Sequence, residues 1–298
     1  MAEVYTLDDL ASRDLLDAGE TKPARLAVLG WPIAHSVSPR MQQAALDGAG
    51  IAARYVRLEV VPGRVAEALA RMRVLGFIGC NVTVPHKLEV MAACDLVDAA
   101  ARALGAINTV TFEAARTRGS NTDGPGFVRA IAEEFGVALD GLSVVILGAG
   151  GGAGQALAAQ CAMQGVARLV LVNRTLEKLG PVAARLQALT PACQISALAL
   201  ADPALAATCA TADLLVNTSS VGLKPGESPI VPGACLRAGQ WVYDCVYQPG
   251  PTPLLEQAAA RGCRTANGRS MLIHQGALAF RQWFPGTEPL AAMRAALA

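Results

Sequence analysis

Short apolar runs alternate along the chain with longer stretches of Ala, Leu, Arg and Glu. The runs at Arg25–Leu29, Tyr55–Val60 and Phe77–Val84 predict strands. The stretches at Met41–Ala49 and Val65–Leu75 between them predict helices. The second half repeats the pattern more sharply. Ser143–Leu147 reads Ser-Val-Val-Ile-Leu, the mark of a strand covered on both faces. Arg168–Val172, Asp213–Val216 and Trp241–Asp244 read alike. Ser270–Trp283 and Glu288–Leu297 predict two closing helices. Such alternation predicts an α/β fold with largely parallel sheets.

The first residues stand apart. Thr6 with Asp9 three positions on forms a capping-box pattern, and Leu7, Leu10, Leu15 and Leu16 give a rough apolar face. A helix is expected over residues 6–18, then a polar linker from Gly19 to Pro23.

The 298 residues suffice for one large domain or two ordinary ones. With 53% hydrophobic and 16% charged residues the chain reads as globular. A formal net charge of +1, without long like-charge runs, gives no footprint for nucleic acid or a membrane surface. The start carries acids where a signal peptide would be basic, and no apolar stretch is long enough to span a bilayer. The eight cysteines form no C-x-x-C pair, which suits reduced thiols in a cytoplasmic protein. His35, His86 and His274 lack metal-ligand spacing, and no G-x-S-x-G elbow supports a hydrolase. No metal is expected.

The predicted strand 143–147 runs into Gly148-Ala149-Gly150-Gly151-Gly152-Ala153-Gly154, followed by an Ala-rich segment. A buried strand, this loop and a helix form a dinucleotide cradle: Gly148 turns, Gly150 admits a pyrophosphate, and Ala153 fills the small third position. The anion would rest on the helix N-terminus. After the next strand come Asn173, Arg174 and Thr175, with Lys178 one turn on. There is no carboxylate for a ribose 2′-hydroxyl, and the cations suit a 2′-phosphate, which favours NADP over NAD.

Four polar segments in the first half are harder to place: Gly30–Pro39, Asn81–Lys87, Gly105–Thr109 and Gly119–Gly124. Each alone has a plain explanation. Ser36 and Ser38 could cap a helix, Asn108 and Asp123 could make Asx-turns, and Lys87 could be a solvated lysine. Together, G-x-P-I-x-H-S-x-S-P, N-V-T-V-P-x-K, G-A-x-N-T and N-T-D-G are followed in order by the glycine loop, N-R-T, Y-D-x-x-Y ahead of T-P, and G-x-x-M-L-x-x-Q. From about residue 25 onward the chain resembles shikimate dehydrogenase, an NADP-dependent family that reduces 3-dehydroshikimate in aromatic amino-acid and chorismate biosynthesis.

The resemblance implies two α/β domains. A substrate domain would take residues 1–124 with 268–298 returning to it, and a Rossmann NADP domain residues 125–267. It makes Lys87 and Asp123 the catalytic pair. Ser36 and Ser38 would hold the substrate carboxylate, Thr83, Asn108 and Gln275 the ring hydroxyls, and Tyr247 would lie close by. Gly148, Ala149, Gly150, Gly151, Gly152, Asn173, Arg174, Thr175, Lys178, Asn217, Thr218, Ser219, Cys245 and Gly268 would bind NADP. The partners expected are a small-molecule substrate and at most a second copy, as a monomer or homodimer.

Residues 1–24 lie outside the resemblance; their helix is expected to cover an edge or make an oligomer contact. Ala99 stands where the family often has an acid, and Cys245 where Met or Leu is commoner. An NAD-using quinate/shikimate dehydrogenase is the nearest alternative, against which Arg174 and Ser38 speak. A non-catalytic NADP sensor is a further one, against which the intact Lys87 and Asp123 speak.

Overall fold

A computed structural model describes residues 4–224 and 226–298. The chain divides into two compact units. The first ends at Thr122 and resumes at Ile273, and the second is Asp123–Leu272.

In chain order the first unit holds β1 (Val4–Tyr5), α1 (Arg13–Leu16), β2 (Ala24–Gly30), α2 (Ser38–Gly48), β3 (Arg54–Glu59), α3 (Val65–Val74) and β4 (Gly79–Val82). Then follow α4 (Glu89–Ala93), β5 (Leu96–Val97), α5 (Ala99–Leu104), β6 (Thr109–Phe112) and β7 (Thr117–Ser120). Their seven strands form one sheet in the order β1-β3-β2-β4-β6-β7-β5. Leu29, Leu58, Val82, Ile107 and Val110 are among the residues of its core, with Leu69 and Met72 of α3 packed on them.

Most of its pairings are parallel, as the alternation predicts, and β6 is the exception. β6 runs antiparallel to both β4 and β7. Its hairpin closes where Glu113 N–H donates to the Arg116 carbonyl at 2.9 Å; so short a connection can only join antiparallel strands. The Phe77–Val84 run is a strand only over Gly79–Val82.

The single helix expected over 6–18 is a 3-10 turn at Asp9–Ala11 and the one-turn α1. Asp9 does take the Thr6 N–H, at 2.7 Å, but Ser12 breaks the run by capping α1 through the Leu15 N–H. Leu7, Leu10 and Leu16 are buried, whereas Leu15 is 57% exposed. Ahead of them β1 pairs in parallel with β3, so a strand rather than a helix covers that sheet edge.

The second unit holds α6 (Asp123–Phe135), β8 (Ser143–Leu147), α7 (Gly152–Met163), β9 (Arg168–Asn173), α8 (Leu179–Leu189), β10 (Gln194–Ala199), α9 (Leu205–Ala210), β11 (Leu214–Asn217), β12 (Trp241–Asp244), α10 (Pro253–Ala260) and β13 (Arg264–Asn267). Its sheet is parallel in every pairing and ordered β10-β9-β8-β11-β12-β13. That is the doubly wound order of the Rossmann fold, whose direction reverses between β8 and β11. Val145, Leu147, Val170, Leu215 and Val242 lie at its centre.

The unit division falls inside α11 (Arg269–Trp283), and α12 (Leu290–Ala296) follows. Both helices pack on first-unit elements. Trp283 Nε1 donates to the Val110 carbonyl at 3.1 Å, above Gly79, where any Cβ would strike the indole. Gln42 of α2 donates to the Gly276 carbonyl at 3.2 Å, and Ala292 of α12 lies beside Gly48.

Candidate active site

In the first unit the polar segments singled out from sequence lie at the ends of β2, β4 and β7 and at the start of β6. Gly30 closes β2 because a Cβ there would meet Ile33 Cδ1 and Thr83 Cγ2, each at 2.7 Å. The close approach sets the Trp31–Val37 segment beside Thr83. Ser36 is held through its main chain: its carbonyl accepts from Arg57 Nε at 3.1 Å and Nη2 at 2.7 Å. Ser36 Oγ takes the Ser38 N–H at 3.3 Å, and Ser38 opens α2. Both serines are half-buried.

Lys87 follows His86, which is completely buried. His86 Nε2 lies 2.7 Å from the Val60 carbonyl and so carries its proton there. Its Nδ1 lies 3.4 Å from Glu89 Oε2. Burial works to raise the Glu89 carboxyl, but the main-chain N–H groups of Gly63 and Val65 hold it below the usual range. The half-buried Lys87 leads from this anchored stretch, and its carbonyl accepts the Ile107 N–H at 3.1 Å.

Asn108 sits among buried polar side chains. Its Nδ2 donates to Thr122 Oγ1 at 2.9 Å and to Gln275 Oε1 at 3.3 Å. Its Oδ1 accepts from Thr122 N at 2.8 Å and from Thr109 Oγ1 at 3.1 Å. Asn108, Thr122 and Gln275 are therefore brought together. Asp123, the next residue in the chain, is buried at the start of α6. Tyr55, Asn81 and Thr109, which the sequence does not mark as site residues, back Asn108. Their buried polar character becomes informative only once the sheet places them side by side.

In the second unit the glycine loop joins β8 to α7. Gly148 has φ of +81°, a value that favours glycine. Its N–H and that of Ala149 donate to the Val172 carbonyl at 2.8 and 3.1 Å, tying the loop to β9. A Cβ on Gly150 would meet Asn173 Nδ2 at 2.7 Å, and one on Gly154 the Gly148 carbonyl at 2.5 Å. Helix and loop thus pack closely at Gly154, one residue beyond the position the G-x-G-x-x-G count assigns. Gly151 and Gly152 are exposed, and a Cβ on Gly152 would meet nothing within 4 Å.

Beyond β9, Arg174, Thr175 and Lys178 are exposed, while Asn173 donates to the Thr175 carbonyl at 2.9 Å. Asn217, Thr218 and Ser219 follow β11. Thr218 Oγ1 donates to the Leu147 carbonyl at 2.7 Å, and Asn217 Oδ1 accepts from Ser219 N and Oγ at 3.0 and 2.7 Å. Asn217 Nδ2 donates to Asp244 Oδ1 at 2.9 Å. Burial raises the Asp244 carboxyl above its ordinary range, partly offset by Thr252, the Val246 N–H and Asn217. Cys245 donates its N–H to the Asn217 carbonyl at 2.8 Å. A side chain on Gly268 would strike the Cys245 carbonyl, so that position admits no Cβ. Tyr247 is half-exposed beyond β12. Among the described residues no helix is long and apolar enough to cross a membrane, and no His, Cys, Asp and Glu cluster could hold a metal.

Two family models match the chain, the shikimate dehydrogenase substrate binding domain over residues 28–110 and the shikimate 5′-dehydrogenase C-terminal domain over residues 268–298. It is 44% identical over 271 residues, 90% of each chain, to the shikimate dehydrogenase (NADP(+)) of Moorella thermoacetica. Shikimate 5-dehydrogenase from Thermus thermophilus, solved in complex with NADP(H) and shikimate, matches with a TM-score of 0.81 and 34% identity, covering 92% of this chain and 98% of that one. Quinate dehydrogenase from Corynebacterium glutamicum, solved in complex with NAD, matches with a TM-score of 0.84 and 31% identity, covering 91% and 97%.

Proposed function

The chain belongs to the shikimate dehydrogenase family, and from that premise we propose that it carries out the reversible NADPH-dependent reduction of 3-dehydroshikimate to shikimate. It is an NADP-dependent oxidoreductase acting on a CH–OH group. The observation that carries the substrate reading is the buried set Asn108, Thr122 and Gln275. Amide and hydroxyl groups without a charge suit a ring bearing hydroxyls. An analogue lacking one would leave buried partners unpaired.

In this reading the first unit takes the substrate. Ser36 and Ser38 donate hydroxyl hydrogens to its carboxylate, and Thr83, Asn108 and Gln275 address its hydroxyls. Lys87 stabilises the negative charge that grows on the ring carbonyl oxygen during reduction and gives that oxygen its proton. Asp123 balances the lysine and accepts from a neighbouring hydroxyl.

The second unit fits an NADP molecule. Gly151 and Gly152 leave open backbone at the N-terminus of α7, where N–H groups receive a pyrophosphate. The exposed Arg174, Thr175 and Lys178 at the tip of β9 supply donors for a 2′-phosphate. Gly148, Ala149 and Gly150 shape the loop, Asn173 supports it, and Asn217, Thr218, Ser219, Cys245 and Gly268 line the strand ends beyond. When bound, the cofactor supplies or takes up the hydride.

The test follows the absorbance of reduced nicotinamide with purified protein, in four arms: shikimate or quinate, each with NADP⁺ or NAD⁺. The reading expects the highest kcat/KM with shikimate and NADP⁺. Faster turnover of quinate with NAD⁺ sinks it in favour of quinate catabolism.

A further inference from the structure

Behind Asn108 lies a chain of buried polar groups that substrate binding alone does not call for. Tyr55, on β3 and 4% exposed, donates its hydroxyl to Asn81 Oδ1 at 2.7 Å. Asn81, on β4 and 7% exposed, donates Nδ2 to the Asn108 carbonyl and to Thr109 Oγ1, each at 3.2 Å. Thr109, fully buried, donates to Asn108 Oδ1 at 3.1 Å.

The directions of the Tyr55 and Asn81 bonds follow from groups that have no choice. A main-chain carbonyl can only accept, so the Asn81 atom facing Asn108 O is the amide nitrogen. Its oxygen then faces Tyr55, whose hydroxyl must donate. Thr109 Oγ1 accepts from Asn81. Its single proton turns not to Thr122 Oγ1 at 3.3 Å but to Asn108 Oδ1 at 3.1 Å, the shorter contact and the better acceptor. The Thr122 N–H, which can only donate, meets the same oxygen at 2.8 Å. With Oδ1 engaged from both sides, Nδ2 of Asn108 is turned toward Thr122 Oγ1 and Gln275.

The torsion about the last side-chain bond of asparagine is soft. Thr122 alone would hold the Asn108 amide from one side, and Thr109 anchors it from the other. Thr109 is held in turn by Asn81, and Asn81 by Tyr55. The phenol ring is fixed too, lying 6.4 Å from the Trp283 ring of α11. We infer that Tyr55 and Asn81 are positioning residues of the substrate site, holding the Asn108 amide with its nitrogen toward Thr122 and Gln275, so that a ring hydroxyl can take over one of these two N–H bonds. The inference rests on the reading of Asn108 as a hydroxyl-binding residue.

The test uses Tyr55→Phe, which keeps the ring, and Thr109→Val, which keeps the shape but cuts the relay. Asn108→Ala and the double variants are made alongside. The measurements are KM for shikimate, KM for NADP⁺, kcat and Tm. Each relay variant is expected to raise the shikimate KM about 3–10-fold, the range for one lost hydrogen bond. KM for NADP⁺ should stay unchanged, and no further rise should occur when Asn108 is already alanine. If Tyr55→Phe prevents folding, Thr109→Val carries the comparison. A lowered Tm with an unchanged shikimate KM in the relay variants, while Asn108→Ala raises it, overturns the relay and leaves the Asn108 reading standing. An unchanged KM in Asn108→Ala overturns the Asn108 reading, and the relay with it.

Discussion

A Cβ placed on Gly154 would lie 2.5 Å from the carbonyl oxygen of Gly148 and 2.7 Å from the Ala149 Cα. Both are main-chain atoms at the end of β8, so neither can swing aside. Two positions earlier, at Gly152, a Cβ would have open space. The loop therefore contains glycines of two kinds, one required by packing and one leaving room for a ligand.

The two kinds predict opposite phenotypes. Gly154→Ala should destabilise by about 1–3 kcal/mol, as overpacking does, and lower Tm. Gly152→Ala should leave Tm unchanged or slightly raised, since alanine favours a helix, yet raise KM for NADP⁺. Thermal melts and cofactor titrations of the two proteins check this. Equal loss of stability in both would remove the distinction.

Two aspartates, one in each unit, should respond to pH with opposite signs. Burial works to raise the Asp17 carboxyl, but the Ala24 N–H, Arg54 and Arg13 together hold it below the usual carboxylate range. Its stabilisation is complete above the unfolded-state pKa and is lost as pH falls through the depressed value. Asp244 is raised by burial. The folded protein then holds that proton more tightly, and stability falls as pH rises from the ordinary range through the raised value. In melts from about pH 4 to pH 7, the Tm deficit of Asp17→Asn should grow with pH. That of Asp244→Asn should shrink. Parallel trends would contradict the assignment.

Strands buried on both faces are legible to within a residue: Ser143–Leu147 and Trp241–Asp244 have the bounds their apolar runs suggest, while Asp213–Val216 lies one residue later, at Leu214–Asn217. The hairpin of β6 and β7 is not, because Thr117–Ser120 reads Thr-Arg-Gly-Ser and carries no apolar alternation. The half-exposed edge strand β10 escapes notice for a related reason. The motifs point to Asn108 and Gln275, which the structure does bring within 3.3 Å. Tyr55 and Asn81 stay hidden, since a tyrosine in an apolar run looks like core until its hydroxyl finds a partner across the sheet. Gly154 does not stand out because counting glycines cannot show which one faces the strand end.

The proposed role of Lys87 can be divided into charge and proton. Lys87→Ala should lower kcat by about 10²–10⁴-fold while circular dichroism and Tm stay near wild type, since the side chain is half-buried rather than core. Lys87→Arg keeps the positive charge but a guanidinium does not give up its proton. It should therefore fall short of wild-type turnover as well. Near wild-type kcat in the alanine variant would end the assignment.

Arg174 offers the cleanest separation of NADP from NAD. The side chain is exposed at the tip of β9, next to Asn173, which is turned to its own loop through the Thr175 carbonyl. No carboxylate lies between Val172 and Thr175 to accept from a ribose 2′-hydroxyl, so nothing there favours NAD. A guanidinium meets a phosphate through paired, charge-assisted hydrogen bonds. Removing it should cost about 10–100-fold in KM for NADP⁺, the range for hydrogen bonds to a charged group. NAD⁺ has no 2′-phosphate, and its KM should move by less than about 2-fold, because the lost group had nothing to bind. Steady-state kinetics of Arg174→Ala with both nucleotides at saturating shikimate measure the two effects together. A rise of the same size for both would mean that Arg174 supports the loop and does not read the phosphate.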